Sequence, residues 1–544
     1  MAGYHFVPSI ADRSAWTVGD VLRSRAASHA DRVYLDVPSV GVALTYRETA
    51  EVAHRIGSGL LAADLQQGDR VVVMMPNNPE YILTWLGTAV AGLVEVPINT
   101  AYRGTFLEHQ VRTVAPTAAV ITAELAERFA EAAAACGTIT TFYLVGEPGD
   151  APEILQAAGF AVRGFEELRS AEPGPLPEIR PQDLAAIFFT SGTTGLSKGV
   201  AMSHAQLFFF ADEGRALVRL TDEDVYLSVG PLFHGNAQFL TAYPSLIAGA
   251  RYVLREKLSA SRWTSWLRES GVTVTNLVGV MSDFLWKQPA RPDDAVESLR
   301  CVWAVPNPPE SVAEQFKARF GIEVLVENFG LTEVSMPILT PYDEPRPAGA
   351  AGRVVEDWFE VRLVDPETDE EVPVGEVGEL VVRPKVPWII CNGYFGMPDK
   401  TAEALRNCWF HTGDGLRRDE DGWYYFVDRL KDALRRRGEN ISSFEVEQAI
   451  LSHDGVAECA VVAVKAGGAN EDEVMAVVVP APGHALELEE FWAHCTRAMP
   501  AFAVPRYVRI VEELPKTPSG KIQKAELRGL GASGAADRES QPVG

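Results

Sequence analysis

The sequence predicts an α/β protein, with a large N-terminal domain of layered sheets and helices that includes a β-rich subdomain, and a small α+β C-terminal domain. Three observations predict it. At 544 residues the chain exceeds the size at which one hydrophobic core stops growing, so two or more domains are expected. From about residue 16 to residue 428, short apolar runs alternate with segments whose apolar residues recur at helical spacing, the pattern of largely parallel sheets covered by helices. Between residues 349 and 425 that pattern gives way to short strands and turn pairs, as in Pro373-Val374-Gly375-Glu376-Val377-Gly378-Glu379-Leu380.

Taken in order, Arg70-Val71-Val72-Val73-Met74-Met75-Pro76 reads as a buried strand, and residues 80–94 as a helix. Further strands are expected over 118–121, 184–188, 225–229, 251–254, 274–277 and 302–305. A boundary is expected near Asp428-Arg429-Leu430-Lys431-Asp432, giving an N-terminal domain over 1–428 and a C-terminal domain over 429–530. Segments 446–449, 458–464 and 473–479 read as parts of the compact second unit. Residues 531–544, rich in Gly, Ala, Ser and charge, read as a disordered tail.

Composition narrows the function. Hydrophobic content of 47% and charged content of 23% belong to an ordinary globular protein. A net charge of −25 argues against nucleic acid or an anionic membrane as main partner, so an anionic ligand must be met by local Lys and Arg clusters. No apolar run approaches the roughly 18 residues of a membrane span, and the start lacks a secretory pattern. Six cysteines without a C-x-x-C pair read as free core thiols of a reducing cytoplasm.

The most informative stretch is Phe189-Thr190-Ser191-Gly192-Thr193-Thr194-Gly195-Leu196-Ser197-Lys198-Gly199, which follows the 184–188 strand. It combines three glycines, five hydroxyl side chains and one lysine. Glycines let backbone N–H groups approach a ligand, and hydroxyls and lysine suit a polyphosphate. Walker spacing is absent, because two residues separate Gly195 from Lys198. The stretch resembles the phosphate loop of the adenylate-forming superfamily, which includes acyl-CoA synthetases, luciferases and peptide-synthetase adenylation domains. Ser197 stands where proline is commonest in that pattern.

Further stretches are similar to motifs of the same superfamily, and the resemblance covers residues 16–524. Asn328-Phe329-Gly330-Leu331-Thr332-Glu333 resembles Y-G-x-T-E, which implies Phe329 against adenine, Thr332 at the α-phosphate and Glu333 as ligand of Mg²⁺, a hard cation suited to carboxylate oxygen. Thr412-Gly413-Asp414 matches T-G-D, implying Asp414 on the ribose diol, with Arg429 beside it and Lys431 as the hinge. Pro515-Lys516-Thr517-Pro518-Ser519-Gly520-Lys521 resembles P-x-T-x-S-G-K and implies Lys521 as the catalytic lysine of acid activation, neutralising two anions as they meet. Pro231-Leu232-Phe233-His234 resembles the element whose histidine lines the acyl pocket; a buried structural histidine is the other reading. His234, Asn236, Gln238, Gly279, Met281 and Trp303 are the candidate pocket residues.

The second substrate is indicated by Arg435-Arg436-Arg437-Gly438-Glu439-Asn440-Ile441-Ser442, close to the R-x-G-E-N-I-S pattern of acyl-CoA ligases and notably of carnitine or crotonobetaine–CoA ligase-like members. Arg435, Arg436, Arg437 and Gly438 are the candidate contacts to coenzyme A, a solvated basic loop being the alternative. The chain reads Trp303-Ala304-Val305-Pro306-Asn307-Pro308-Pro309 where G-G-A-P-x-P is common, and a tryptophan there narrows the acid pocket against long straight chains.

The resemblance implies a small C-terminal domain that turns about the hinge, presenting Lys521 for adenylation and the 435–440 side for thioester formation. It implies ATP, Mg²⁺ and coenzyme A as cofactor and substrates and a small carboxylic acid; a carrier protein as partner and a homodimer stay open. Three functions stay open at this stage: an acyl-CoA ligase; an adenylate-forming enzyme whose acceptor is a carrier-protein phosphopantetheine, an amine or nitrite; and a non-catalytic nucleotide-binding regulator.

Overall fold

The computed structural model describes residues 3–540 apart from 191–195, 279–280, 306, 309, 430–432, 437–438, 466–471, 516–521 and 523. Two seven-stranded sheets carry the N-terminal domain. The first runs Ala161–Gly164, Thr141–Val145, Ala118–Thr122, Arg70–Met74, Val94–Pro97, Leu184–Thr190 and Lys198–Ser203 from edge to edge. Its strands pair in parallel except the last two, an antiparallel hairpin with Thr190 opposite Lys198. The second runs Val324–Val326, Cys301–Val305, Val274–Val278, Val225–Ser228, Arg251–Leu254, Val33–Val37 and Val42–Thr45, parallel up to an antiparallel final pair. Parallel strands need crossover helices on their faces, so Val71, Val72 and Val73 are all fully buried and read as an unbroken apolar run.

Helix His204–Leu217 lies in the core that both sheets share, started by Ser203, whose hydroxyl accepts the Gln206 N–H. Phe208 and Phe209 pack against Trp16, and Phe209 also against Trp358, tying the helix to both ends of the domain. The helix expected over 80–94 runs Pro79–Val90 instead, capped by Asn78. It stops because Gly92 takes a left-handed φ of 68°, and Val94 already belongs to the next strand.

The β-rich part holds two antiparallel sheets: Asn328–Leu331, Ser335–Leu339 and Arg353–Val354; then Phe359–Val364, Val377–Pro384, Phe410–Arg418 and Tyr424–Arg429. A hairpin, Ala433–Arg436 with Glu439–Ser442, follows. In the C-terminal unit, helices Ser443–Leu451 and Leu488–Ala498 cover one face of a sheet built from Val456–Lys465, Asp472–Pro480 and Tyr507–Ile510. Phe106 of the N-terminal domain enters that same cluster, while Leu514, Ile522 and Leu527 pack on the other face.

The tail departs from the expectation of disorder over 531–544. Ala536–Asp537 adds a fourth strand beside Tyr507–Ile510, and Arg506 holds Asp537 at 3.1 Å. An open strand edge gains partners this way. All six cysteines are free, but Cys408 is exposed rather than in the core. No helix among the described residues is long and apolar enough to cross a membrane.

Candidate active site

The hairpin of the first sheet ends where Thr190 faces Lys198, and the intervening Ser191, Gly192, Thr193 and Thr194 lie outside the described residues. Against it stands the turn between strands Asn328–Leu331 and Ser335–Leu339, which carries Thr332 and Glu333. The turn is tight: a Cβ on Gly330 would fall 2.4 Å from the Ser335 carbonyl oxygen, and Ser335 itself has a φ of 58°. Glu333 Oε1 accepts hydrogen bonds from the Thr190 hydroxyl at 3.2 Å and the Tyr394 hydroxyl at 3.0 Å. The Lys198 ammonium lies 4.2 Å from the centroid of the Tyr394 ring. Folding thus brings a lysine, two hydroxyls and a carboxylate from three distant segments to one place.

That donor set fits Mg²⁺. Among the described residues no group of three His, Cys, Asp or Glu side chains converges on a metal position. A single hard carboxylate suits a Mg²⁺ that would take its other ligands from a substrate and water.

The turn rests on helix His204–Leu217. The Gln206 amide donates to the Thr332 carbonyl at 2.9 Å, and Glu213 Oε2 accepts the Met336 N–H at 3.1 Å. Burial holds the Glu213 carboxyl well above its ordinary range, despite that bond. Phe329 stacks on Phe426, with ring centroids 6.3 Å apart and 24° between planes. Asp414 is buried and pairs in register with Arg429 on the neighbouring strand. Its loop is fixed by Glu379, whose Oε1 accepts the Gly413 N–H at 2.9 Å while Oε2 contacts His411 Nδ1 at 3.0 Å. Burial raises the Glu379 carboxyl, but the His411 and Gly413 hydrogen bonds and the charges of His411 and Arg406 outweigh it and hold the group below its usual range.

Of the pocket candidates, His234 and Asn236 sit on the turn after strand Val225–Ser228. His234 Nε2 meets Glu439 Oε2 of the C-terminal hairpin at 3.1 Å. Asn236 Oδ1 accepts from the buried Asn276 amide at 2.6 Å. Met281 packs at the start of its helix, its sulfur 3.5 Å from the Val278 N–H, and Gly279 lies outside the described residues.

Two pocket expectations are corrected. Gln238 is fully buried and donates to Glu95 at 2.6 Å, so it belongs to an internal polar pair rather than an open wall. Trp303 is only 1% exposed, with its indole N–H on Asn328 Oδ1 at 2.9 Å. Its ring fills the space over Gly214, where a Cβ would come within 3.0 Å of it. It therefore plugs the interior instead of forming an accessible wall.

Arg436 is the third correction. Expected at coenzyme A phosphates, it is 2% exposed, ion-paired to Glu473 at 2.6 Å and bonded to the Phe502 and Val504 carbonyls. The alternation of strand Ala433–Arg436 puts it on the same face as the buried Leu434, toward the C-terminal core. Arg437, Gly438, Lys431 and Lys521 lie outside the described residues.

The two domains meet at the phosphate hairpin. Glu445, in the first turn of helix Ser443–Leu451, accepts the Ser197 backbone N–H at 2.6 Å. Burial pushes its carboxyl up to about 7, against the pull of the Ser197 hydrogen bonds. None of Tyr394, Gln206, Glu213, Glu379, Asn276 and Glu445 had a signal in the sequence strong enough to single it out.

Comparison with known proteins agrees with this geometry. Residues 22–395 match the model of the AMP-binding enzyme family, and residues 445–521 match that of the AMP-binding enzyme C-terminal domain. A crotonobetaine/carnitine–CoA ligase of Salmonella agona is 33% identical over 491 residues, covering 89% of this chain and 93% of that protein. Among solved structures, ATP-bound MatB of Rhodopseudomonas palustris is 27% identical with a TM-score of 0.66, over 94% of this chain and 99% of that one. The o-succinylbenzoate CoA synthetase of Bacillus subtilis, at 21% identity, shares the fold with a TM-score of 0.78 over 94% and 98% of the two chains.

Proposed function

Because the chain belongs to the AMP-binding enzyme family across both of its domains, we propose that it activates a compact carboxylic acid with ATP and passes the acyl group to coenzyme A. In the first half-reaction a carboxylate oxygen of the acid bonds to the α-phosphorus of ATP, the bond to the β-phosphate breaks, and pyrophosphate leaves. In the second, the thiol sulfur of coenzyme A bonds to the acyl carbon, the acyl–oxygen bond breaks, and AMP leaves.

The observation that carries this reading is the convergence of Thr190, Lys198 and Glu333 through Tyr394. Thr190 and Lys198 hold the phosphates together with Ser191, Gly192, Thr193 and Thr194. Thr332 meets the α-phosphate, Phe329 packs on adenine, and Asp414 with Arg429 holds the ribose. Glu333 holds Mg²⁺, which when bound offsets charge on the phosphate oxygens. Lys521 bridges the two anions of the first step.

The contact between His234 and Glu439 favours assigning the described domain arrangement to the second half-reaction. It sets the 433–442 hairpin at the acyl site, while Leu514 and Ile522, which flank Lys521, pack on the face of the small sheet away from Phe106. Arg435 and Arg437 remain the arginines proposed for coenzyme A phosphates. Crotonobetaine and carnitine, for which the Salmonella relative is named, set the size range of the compact acid in this reading.

The division of labour is tested with Lys521→Ala in separate half-reactions. Pyrophosphate release from ATP and acid should collapse, while thioester formation from supplied acyl-adenylate and coenzyme A should persist. Equal loss in both would refute it.

A further inference from the structure

We propose that Tyr394 is a positioning residue for acid activation, orienting the Glu333 carboxylate with its hydroxyl and the Lys198 ammonium with its ring. This rests on the reading that Glu333 holds the metal and Lys198 the phosphates.

The geometry is built from the backbone outward. Segment 391–395 is sewn to two partners at once. The Cys391 N–H donates to the Glu333 carbonyl at 2.8 Å, fixing the segment to the catalytic turn. Asn392 and Phe395 donate to Ala201 and Gly199, and Ala201 donates back to Gly393, fixing it to the strand that begins with Lys198. Gly393 has a φ of 97°, and a Cβ there would lie 2.5 Å from the Thr401 methyl. That glycine lets the chain turn so that Tyr394 enters the site.

Tyr394 is 8% exposed, and its N–H is held by Thr401 Oγ1 at 2.9 Å. The backbone that carries the ring is thereby held without use of the Glu333 carboxylate or the Lys198 ammonium. From this fixed position the hydroxyl reaches one oxygen of Glu333 at 3.0 Å and the ring face lies 4.2 Å from the lysine nitrogen.

A carboxylate restrained through one oxygen offers the other to a cation in a defined direction, as outer partners of metal ligands do. An ammonium over an aromatic face is confined yet keeps its charge for phosphate. Packing alone would make the hydroxyl dispensable.

The test is calorimetric binding of ATP to the full-length protein at graded Mg²⁺ and in EDTA, for wild type, Y394F, Y394L and E333Q. Y394F keeps the ring and loses only the hydroxyl. It should require about tenfold or more additional Mg²⁺ to reach tight binding, with metal-free ATP affinity unchanged. Y394L should in addition bind metal-free ATP several-fold more weakly, because Lys198 loses its support. If E333Q alters the Mg²⁺ dependence and Y394F matches wild type, the proposal is overturned. If Y394L binds metal-free ATP like wild type, its Lys198 half is overturned. A wild-type Mg²⁺ dependence in E333Q would instead remove the reading of Glu333, and the proposal with it.

Discussion

Ser197 stands at a place where the resembled pattern most often has proline, and proline has no N–H to give. In this chain that N–H is donated to Glu445 of the small domain at 2.6 Å, inside an environment that leaves Glu445 only 4% exposed. Replacing Ser197 by proline removes the donor and leaves a buried carboxyl facing a ring carbon. A hydrogen bond to a charged group contributes about 1.5–3 kcal/mol net, a factor of about ten to a hundred in the ratio of docked to undocked domains, and with the Glu445 carboxyl at about 7 that full value applies on the alkaline side of neutrality. The loop itself tolerates proline sterically in the resembled pattern, so ATP binding and acid activation should change little.

The assay is a pair of single-turnover measurements: pyrophosphate release from ATP and acid, and thioester formation from supplied acyl-adenylate and coenzyme A. Ser197→Pro should slow the second by about tenfold or more and spare the first. Ser197→Ala is the control, since it keeps the N–H and loses only the hydroxyl, with its 3.3 Å contact to Gln110 and its own hydrogen bond to Glu445. Equal behaviour of the proline and alanine variants would refute the argument. So would parallel loss in both half-reactions.

Other perturbations follow from the same geometry. Trp303→Ala should cost about 3–5 kcal/mol of stability in a denaturant titration and leave the preferred acid unchanged, since the ring fills the interior; a shift toward longer acids would return Trp303 to the pocket. Glu379→Gln should raise the KM for ATP by loosening the Asp414 loop. Because the folded carboxyl is held below its usual range, its contribution is present above the ordinary carboxylate pKa and lost as pH falls through the folded value, so only wild type should show that acid-side loss. Glu95 has the opposite sign: burial lifts its carboxyl to about 8, against the Gln238 hydrogen bond, so folding holds a proton that the unfolded chain releases near the ordinary value of 4.5. Wild type should lose up to about 1.4 kcal/mol per pH unit across that window, and Glu95→Gln should flatten the loss in denaturant titrations.

Much of the candidate site was legible because the chemistry proposed for it rests on short contiguous strings. The phosphate hairpin, the Thr332-Glu333 turn and the Thr412-Gly413-Asp414 loop each combine glycines with donors or carboxylates inside a few residues. Glycine at such places answers to a steric need that can be read locally, as at Gly330. The central strands were equally readable, since strands buried on both faces must be apolar throughout.

What escaped lies in contacts between distant segments. Tyr394 meets Glu333 across 61 positions and Gln206 meets Thr332 across 126, and neither tyrosine nor glutamine announces a partner in a string. Arg436 misled for a related reason: three adjacent arginines look alike in a sequence, but strand alternation sends the middle one into the core against Glu473. Trp303 was expected at a pocket wall and became a plug because Gly214, far upstream, leaves room for its ring. The tail read as disordered on composition alone, yet two residues of it suffice to pair a free strand edge.

The central claim is most directly tested by carboxylate-dependent AMP formation from ATP across a panel of acids, with and without coenzyme A, followed by mass spectrometry of the products. The account predicts AMP together with the acyl-CoA of one class of compact acids. AMP formation whose adenylate persists unchanged when coenzyme A is added would contradict it.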